Sequence, residues 1–260
     1  MYFKTLKERM EYYKSLTDYR LMPNSYVICH VDGKNFSKKV KKFFKLPFDD
    51  KFLLMMNEAA KYACKNIQGC KMAYVQSDEI TFIITDFEKE QSDSYYSYRL
   101  CKMQAIISSF VTSKFQQLFC ANYPDRVLDD RYLFQFDCKC FVVPEYNDVF
   151  AWLKYRQNDC IRNSKNQVAR TYCTHKELTN KTSDEQIKYL KEKKGIDWNN
   201  FCDSEKYGRI IYKELETHSD YDEQIHAENL YQRSVWSAHP AVVFNREWFD
   251  NISLVPQKIK

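Results

Sequence analysis

Two short acidic turns carry the residue types most able to do chemistry. "ICHVDGKNF" (28–36) ends an apolar run in Asp32 and Gly33. "MAYVQSDEITFII" (72–84) bends through Ser77, Asp78 and Glu79 between two apolar runs. A tight hairpin favours Asn-Gly or Asp-Gly at its bend, yet this one places two adjacent carboxylates there and no glycine. Carboxylates forced together repel unless something neutralises them. Two readings stand side by side. The acids are solvated loop residues paired with nearby lysines, or they are a magnesium site. Mg²⁺ takes one or two carboxylates, with waters and substrate phosphates completing its shell. Gly33, one of only four glycines, suits the second reading, because a residue without a side chain lets a carbonyl or ligand approach closely. Two metals there would align an attacking oxygen and a leaving phosphate.

The surrounding pattern must bring the turns together. Residues 3–16 and 49–67 read as amphipathic helices, the second capped by Asp49. A longer helix spans about 94–119. Runs 25–31, 71–76, 79–85 and 133–144 read as strands, the last ended by Pro144. Strand, helix, strand, strand, helix, strand is the ferredoxin-like order. The expected fold is therefore α+β, a ferredoxin-like (βαββαβ) polymerase or cyclase palm with additional helices. That topology sets the end of the first strand beside the turn between the second and third, so Asp32 and Asp78 meet at one end of one sheet. Residues 1–144 form the expected palm. Residues 145–260 form a helical, fingers-like extension packed on it, or part of the same compact unit. Its helix 145–172 carries Arg156, Gln157, Asp159, Arg162 and Asn163, too polar a set for a core face. Another helix starts at Thr182 or Ser183 and ends at Gly195. From 219 on there is no helical period, but its aromatics predict packing on the body or on a partner.

Composition bounds the rest. A net charge of +5 permits an anionic partner without requiring one. The six lysines of "KNFSKKVKKFFK" (34–45) form a solvated helix face or a phosphate-tracking patch. Ten cysteines show no C-x-x-C spacing. They lie mostly in apolar segments, where a thiol acts as a small hydrophobe. The nearest pair, Cys138 and Cys140, is expected to be split between the two sides of its strand. The pattern predicts a reduced, intracellular protein, in cytoplasm or in a mitochondrion if eukaryotic. No signal-like start and no membrane-length apolar run is seen.

"HVDGKNF", "LPFDD", "QSDEITFII", "FDCKCFVVP", "YRQNDCIRNS" and "EKKGIDWNNF…KYGR", in this order and at these distances, resemble the tRNA(His) guanylyltransferase superfamily. Within it they look most like the Thg1-like proteins, the 3′-to-5′ RNA polymerases. The resemblance covers about residues 5–215. It implies a nucleotidyltransferase that adds nucleotides to the 5′ end of tRNA, templated by the opposite strand, after ATP activates a 5′-monophosphate. It implies two Mg²⁺ ions, with ATP and GTP or other nucleoside triphosphates as substrates, and a homotetramer with no membrane association. Asp32 and Asp78 would be catalytic metal ligands with the Gly33 carbonyl, and Glu79 would support them as a metal partner or by fixing the turn. Lys34, Asn35, Phe36, Asp49, Ser77, Arg99 and Lys102 would bind nucleotide. Arg156, Gln157, Asp159 and Asn163 match the R-Q-x-D-x-x-x-N helix, implying RNA or nucleotide contacts.

Four departures bear on activity. His30 and Lys139 stand where the family has arginine, and lysine lacks arginine's bidentate fork. Tyr155 replaces a tryptophan. "CIRNSKNQ" (160–167) lacks the histidine of the eukaryotic H-I-N-N-L-Y-N run. The last favours templated tRNA 5′-end repair over addition of a single G to tRNA(His). That guanylyltransferase activity is the alternative. Others are a catalytically decayed RNA- or nucleotide-binding module and a palm-type cyclase.

Overall fold

The structure, a computed structural model, describes residues 3–258 apart from 90–91, 127–128 and 223–226. In chain order its elements are α1 (Leu6–Ser15), β1 (Tyr26–Gly33), α2 (Phe36–Phe43), α3 (Asp50–Asn66), β2 (Cys70–Gln76), β3 (Glu79–Ile84), α4 (Leu100–Asn122) and β4 (Phe136–Val143). The second half adds α5 (Tyr146–Tyr172), α6 (His175–Leu178), α7 (Ser183–Lys194), α8 (Asp203–Lys206), β5 (Arg209–Asp222), β6 (Ala227–Pro240) and α9 (Arg246–Ile252). The strands form one antiparallel sheet in the order β4-β1-β3-β2-β5-β6. Both β1 and β2 flank β3, so the end of β1 lies beside the β2–β3 turn.

Strand alternation divides the core. Val27, Cys29 and Val31 of β1 face α3 and α4, while Tyr26 and Ile28 face α5 and the C-terminal segment. In α4, Met103, Ile107, Val111, Phe115 and Phe119 recur every four residues and are fully buried, a stripe that holds the helix against the sheet. Asp49 caps α3 by accepting from Phe52 N at 2.9 Å. Thr182 caps α7, and Gly195 ends it in the left-handed conformation.

Residues 145–260 contribute strands as well as helices. Only residues 209–212 of β5 pair with β2. The rest of β5 pairs with β6 alone, as a long hairpin. The expected packing of the tail holds beyond residue 240, where Phe244, Phe249 and Val255 bury against Tyr26 and Tyr74. The split expected for Cys138 and Cys140 is wrong. Residues two apart on a strand share a face, and both thiols are buried with sulfurs 3.6 Å apart. All ten cysteines are free thiols.

Candidate functional site: the acid end of the sheet

The site begins with the β2–β3 turn. Gln76 pairs with Glu79, leaving Ser77 and Asp78 as a two-residue loop. Ser77 takes φ 44°, a left-handed value that glycine or asparagine would adopt with less strain. Its hydroxyl donates to Asp78 Oδ1 at 2.9 Å. The strain is local, and it sets a carboxylate where a hairpin would normally place glycine.

Gly33 shows how close the second turn comes. A Cβ there would lie 2.8 Å from Asp78 Oδ2 and 2.3 Å from the Phe36 ring. The glycine of the first turn and the aspartate of the second are thus in contact. Burial pushes the Asp78 carboxyl up to about 7, and the charges of Asp32 and Glu79 push the same way. Burial, then Glu79 and Asp137, also raise Asp32. No cation pairs with either aspartate among the described residues, and no group of three or more His, Cys, Asp or Glu converges into a closed metal cage. Two carboxylates and a backbone carbonyl are the donor set an open Mg²⁺ site uses. The residues fit that ion.

Glu79 is different. It accepts from Gln76 Nε2 at 2.7 Å and from Arg156 Nη2. Arg156 also donates to Asp159 at 2.8 Å, and Arg162 reaches Asp159 at 2.6 Å. Glu79 therefore fastens the turn to α5, one of its two expected roles. His30 joins this network, its Nε2 3.6 Å from Glu79 and its Nδ1 3.1 Å from the Thr81 hydroxyl. Burial holds the imidazole below its usual range. The imidazole is part of the scaffold between β3 and α5.

A cavity of about 620 Å³ opens from the turn, within the range of small-molecule sites. Gln76, Ser77, Asp78 and Glu79 form one wall. Lys41 and Lys45 enter from the α2 side, Asn163 and Arg170 from α5, and Arg209 from β5. Asp32 stands outside this lining, on the exposed side of the acid pair. The lysine run thus divides: Lys41 and Lys45 reach the cavity while Lys39 donates to the Leu133 carbonyl.

Other expected ligand residues fall into place unevenly. Lys34 and Asn35 are exposed after the metal turn, and Asn35 is left-handed at φ 58°. Phe36 is 1% exposed, packed on Phe52, Phe115, Phe134 and Phe136. Its ring supports the turn from below and is closed to a ligand. Asp49 lines the cavity, but its two oxygens already cap α3 and accept from Lys45 N. Gln157 is fully buried, donating to Val242 O at 2.7 Å and accepting from Phe244 N at 2.6 Å. It clamps the chain after β6. The expectation that Arg156 and Gln157 are too polar for a buried face fails because each has its partners inside the fold. Arg99 and Lys102 begin α4 at the opposite end of the sheet. Arg99 pairs with Asp18 at 2.6 Å and bridges Arg20, while Lys102 lies over the Tyr96 ring. This chain does not bring them to its own acid pair. Sequence reading missed Asp137, which pairs with Asp32 across β1–β4, and Arg209. The signals for Arg209 were its place at the end of the "KYGR" run and Gly208 before it, whose Cβ would meet Val75 O at 2.7 Å.

The family model described as tRNA(His) guanylyltransferase, Thg1, matches residues 7–144, which hold both acidic turns. The chain belongs to this family of nucleotidyltransferases. It is 29% identical to the tRNA(His) guanylyltransferase of Debaryomyces hansenii over 222 residues, covering 81% of this chain and 82% of that protein. Among solved structures, it resembles a bacterial Thg1-like protein in complex with ATP, at TM-score 0.82 and 29% identity over 95% of this chain and 98% of that one. A bacterial Thg1-like protein in complex with GTP gives TM-score 0.70 and 27% identity over 92% of each chain. These likenesses extend past residue 144, so the second half of this guanylyltransferase-family chain shares the architecture too.

Proposed function

We propose that this guanylyltransferase-family protein is a Mg²⁺-dependent 3′-to-5′ nucleotidyltransferase that repairs tRNA 5′ ends using the opposite strand as template. The observation that carries the reading is the uncompensated pair Asp32 and Asp78, set in contact with Gly33 beside a cavity with cationic walls. The strand order fits a ferredoxin-like palm, with these acids at the position such palms use for phosphoryl transfer. In the reaction the 5′-monophosphate takes the adenylyl group of ATP, releasing pyrophosphate. The 3′-hydroxyl of an incoming nucleotide then displaces AMP. Bound Mg²⁺ would lower the hydroxyl's pKa and offset charge on the leaving group. Asp32, Asp78 and the Gly33 carbonyl would hold it. Lys41, Lys45 and Arg170 supply positive charge where triphosphates would lie, and Asn163 offers an amide to base or ribose. ATP and GTP are substrates on this reading, which is supported by the bacterial relatives solved in complex with ATP and with GTP.

The second reading, a single G added to tRNA(His), is favoured by the likeness to a fungal tRNA(His) guanylyltransferase. The stretch of α5 that faces the cavity through Cys160, Asn163, Ser164, Asn166 and Gln167 has no histidine, which supports repair instead. The test is extension of 5′-monophosphorylated tRNAs lacking their first nucleotide, tRNA(His) beside another tRNA, with Mg²⁺, ATP and all four nucleotides. Templated extension of both is expected. One G on tRNA(His) alone overturns the repair reading in favour of the second.

A homotetramer is proposed on the same footing. It is supported by α1, which has no buried residue and exposes Leu6, Met10 and Tyr13. A stable monomer in size exclusion with light scattering would overturn it. Free thiols buried at Cys29, Cys64 and Cys160 support a reducing intracellular compartment.

A further inference from the structure

Arg209 opens β5 directly opposite Val75, three residues before Asp78. It is 4% exposed. Its Nε donates to Asn57 Oδ1 at 2.9 Å and its Nη1 to the Ser204 carbonyl at 3.4 Å. Both acceptors are neutral. Its Nη2 is buried with no acceptor, and among the described residues no carboxylate pairs with the guanidinium. A buried cation without a counter-charge is costly, and native proteins keep one where a partner arrives. Arg156, also buried and also with one unpartnered nitrogen, its Nε, differs in its counter-charge, because it holds both Glu79 and Asp159. Desolvation draws the Arg209 guanidinium down to about 10, the direction expected of a cation lacking its anion.

Arg209 lines the cavity that begins at Asp78, with Lys41, Lys45 and Arg170 on other walls. The carboxylates of that lining offer it little. Glu79 is taken by Arg156, Asp49 by two backbone N–H groups, and Glu205 accepts from Cys202 N; Asp78, the fourth, accepts from the Ser77 hydroxyl and makes no ion pair with Arg209 among the described residues. A planar guanidinium fixed by two neutral acceptors, with one edge left over, suits a phosphoryl oxygen.

We propose that Arg209 is a phosphate-binding residue of the cavity: Nη2 is buried and unpartnered, and a small rotation of the guanidinium toward the cavity would give that N–H a phosphoryl oxygen of the substrate. This rests on the nucleotidyltransferase reading above for the identity of that substrate. The phosphoryl group belongs to a nucleoside triphosphate or to the 5′-phosphate of RNA, and binding measurements separate the two.

Two variants of the full chain test it, Arg209→Gln and Asn57→Asp. The second leaves the arginine in place and puts a carboxylate beside its Nε, an internal counter-ion that competes with an incoming phosphate. Affinities for ATP, adenosine, 5′-phosphorylated tRNA and 5′-hydroxyl tRNA are measured by calorimetry with Mg²⁺. Both variants should weaken ATP roughly 10- to 100-fold, the worth of a charge-assisted hydrogen bond, and leave adenosine unchanged. If the RNA supplies the phosphoryl group, the loss instead appears on 5′-phosphorylated tRNA, with ATP and 5′-hydroxyl tRNA unchanged. Asn57→Asp should keep or raise the thermal midpoint, so it decides the matter if Arg209→Gln does not fold. A folded Asn57→Asp protein that binds ATP and 5′-phosphorylated tRNA within twofold of wild type overturns the proposal. So does an equal loss for adenosine. Because calorimetry reads binding without turnover, phosphate dependence on Arg209 in a protein that extends no tRNA would sink the repair reading and leave this one standing.

Discussion

Asp78 and Glu79 are neighbours in sequence and opposites in the fold. Glu79 is matched by Arg156 and Gln76, and through them ties β3 to α5. Asp78 has the Ser77 hydroxyl and no cation among the described residues, and its carboxyl is pushed up to about 7. The two arginines repeat the contrast. Arg156 holds two carboxylates, while Arg209 has two neutral acceptors and a free edge. Compensated charges build the scaffold, and uncompensated charges are held ready for something that binds. The difference is physical: a paired buried charge recovers much of its desolvation cost from its partner, while an unpaired one keeps that cost until a ligand completes it.

The largest break in that contrast should come from removing the uncompensated acids. Asp78→Ala or Asp32→Ala should lower 5′ nucleotide addition by roughly a thousandfold or more, the scale set by losing a metal-held transition state, while circular dichroism stays native. Retained activity in either would make these acids ordinary loop residues.

Next is Arg156→Met. It takes the arginine from Glu79, which keeps only Gln76 and His30, while Asp159 keeps Arg162, and breaking a buried pair costs about 3–5 kcal/mol. Urea denaturation should show that loss. A shift below 1 kcal/mol would mean the network does not hold α5 to the sheet.

Asp78→Asn should move stability the other way in metal-free protein. The folded carboxyl lies above its usual 3.8, so the folded state holds the proton more tightly. Its contribution is fully present below about pH 4 and is lost as pH rises through about 7. At pH 8 the ionised group is a net cost that asparagine removes. At about 1.4 kcal/mol per unit, and discounted because Asp78 is only half-buried, the gain should be ~2 kcal/mol. Mg²⁺ should erase the advantage by stabilising wild type alone. Equal stability of the two proteins at pH 8 without metal would contradict the contrast.

Gly33→Ala tests the contact itself. A Cβ 2.8 Å from Asp78 Oδ2 and 2.3 Å from Phe36 should cost about 1–3 kcal/mol as overpacking and lower activity with it. An unchanged urea midpoint would separate the turns. Smallest of all should be Arg99→Ala. It removes only an exposed, solvent-screened pair with Asp18, so the urea midpoint should stay at the wild-type value.

Much of the site was legible because its chemistry is local. Ser77, Asp78 and Glu79 sit where alternation demands a turn, and no turn preference explains them. Asp49 announced itself as a cap by spacing alone. What failed was pairing at a distance. The polar side of α5 looked exposed because Arg156 and Gln157 carry groups that want water. Their partners, Glu79 and the backbone at Val242 and Phe244, arrive from 77 to 87 residues away. Arg99 and Lys102 share one helix face, as read, but spacing on a helix does not say which end of the sheet that face reaches. Phe36 follows the metal turn and yet points into the core.

The sequence by itself determined the two acidic turns, the element order and the family, because each follows from periodicity, turn chemistry or motif within a few dozen residues. Only the tertiary structure decided which charges are compensated. That depends on which side chains from β3, α3, α5 and β5 meet, and burial multiplies the consequence of each meeting. Asp78 and Glu79 differ by one methylene and one position. Whether an arginine reaches the carboxylate is what separates a binding group from a tie.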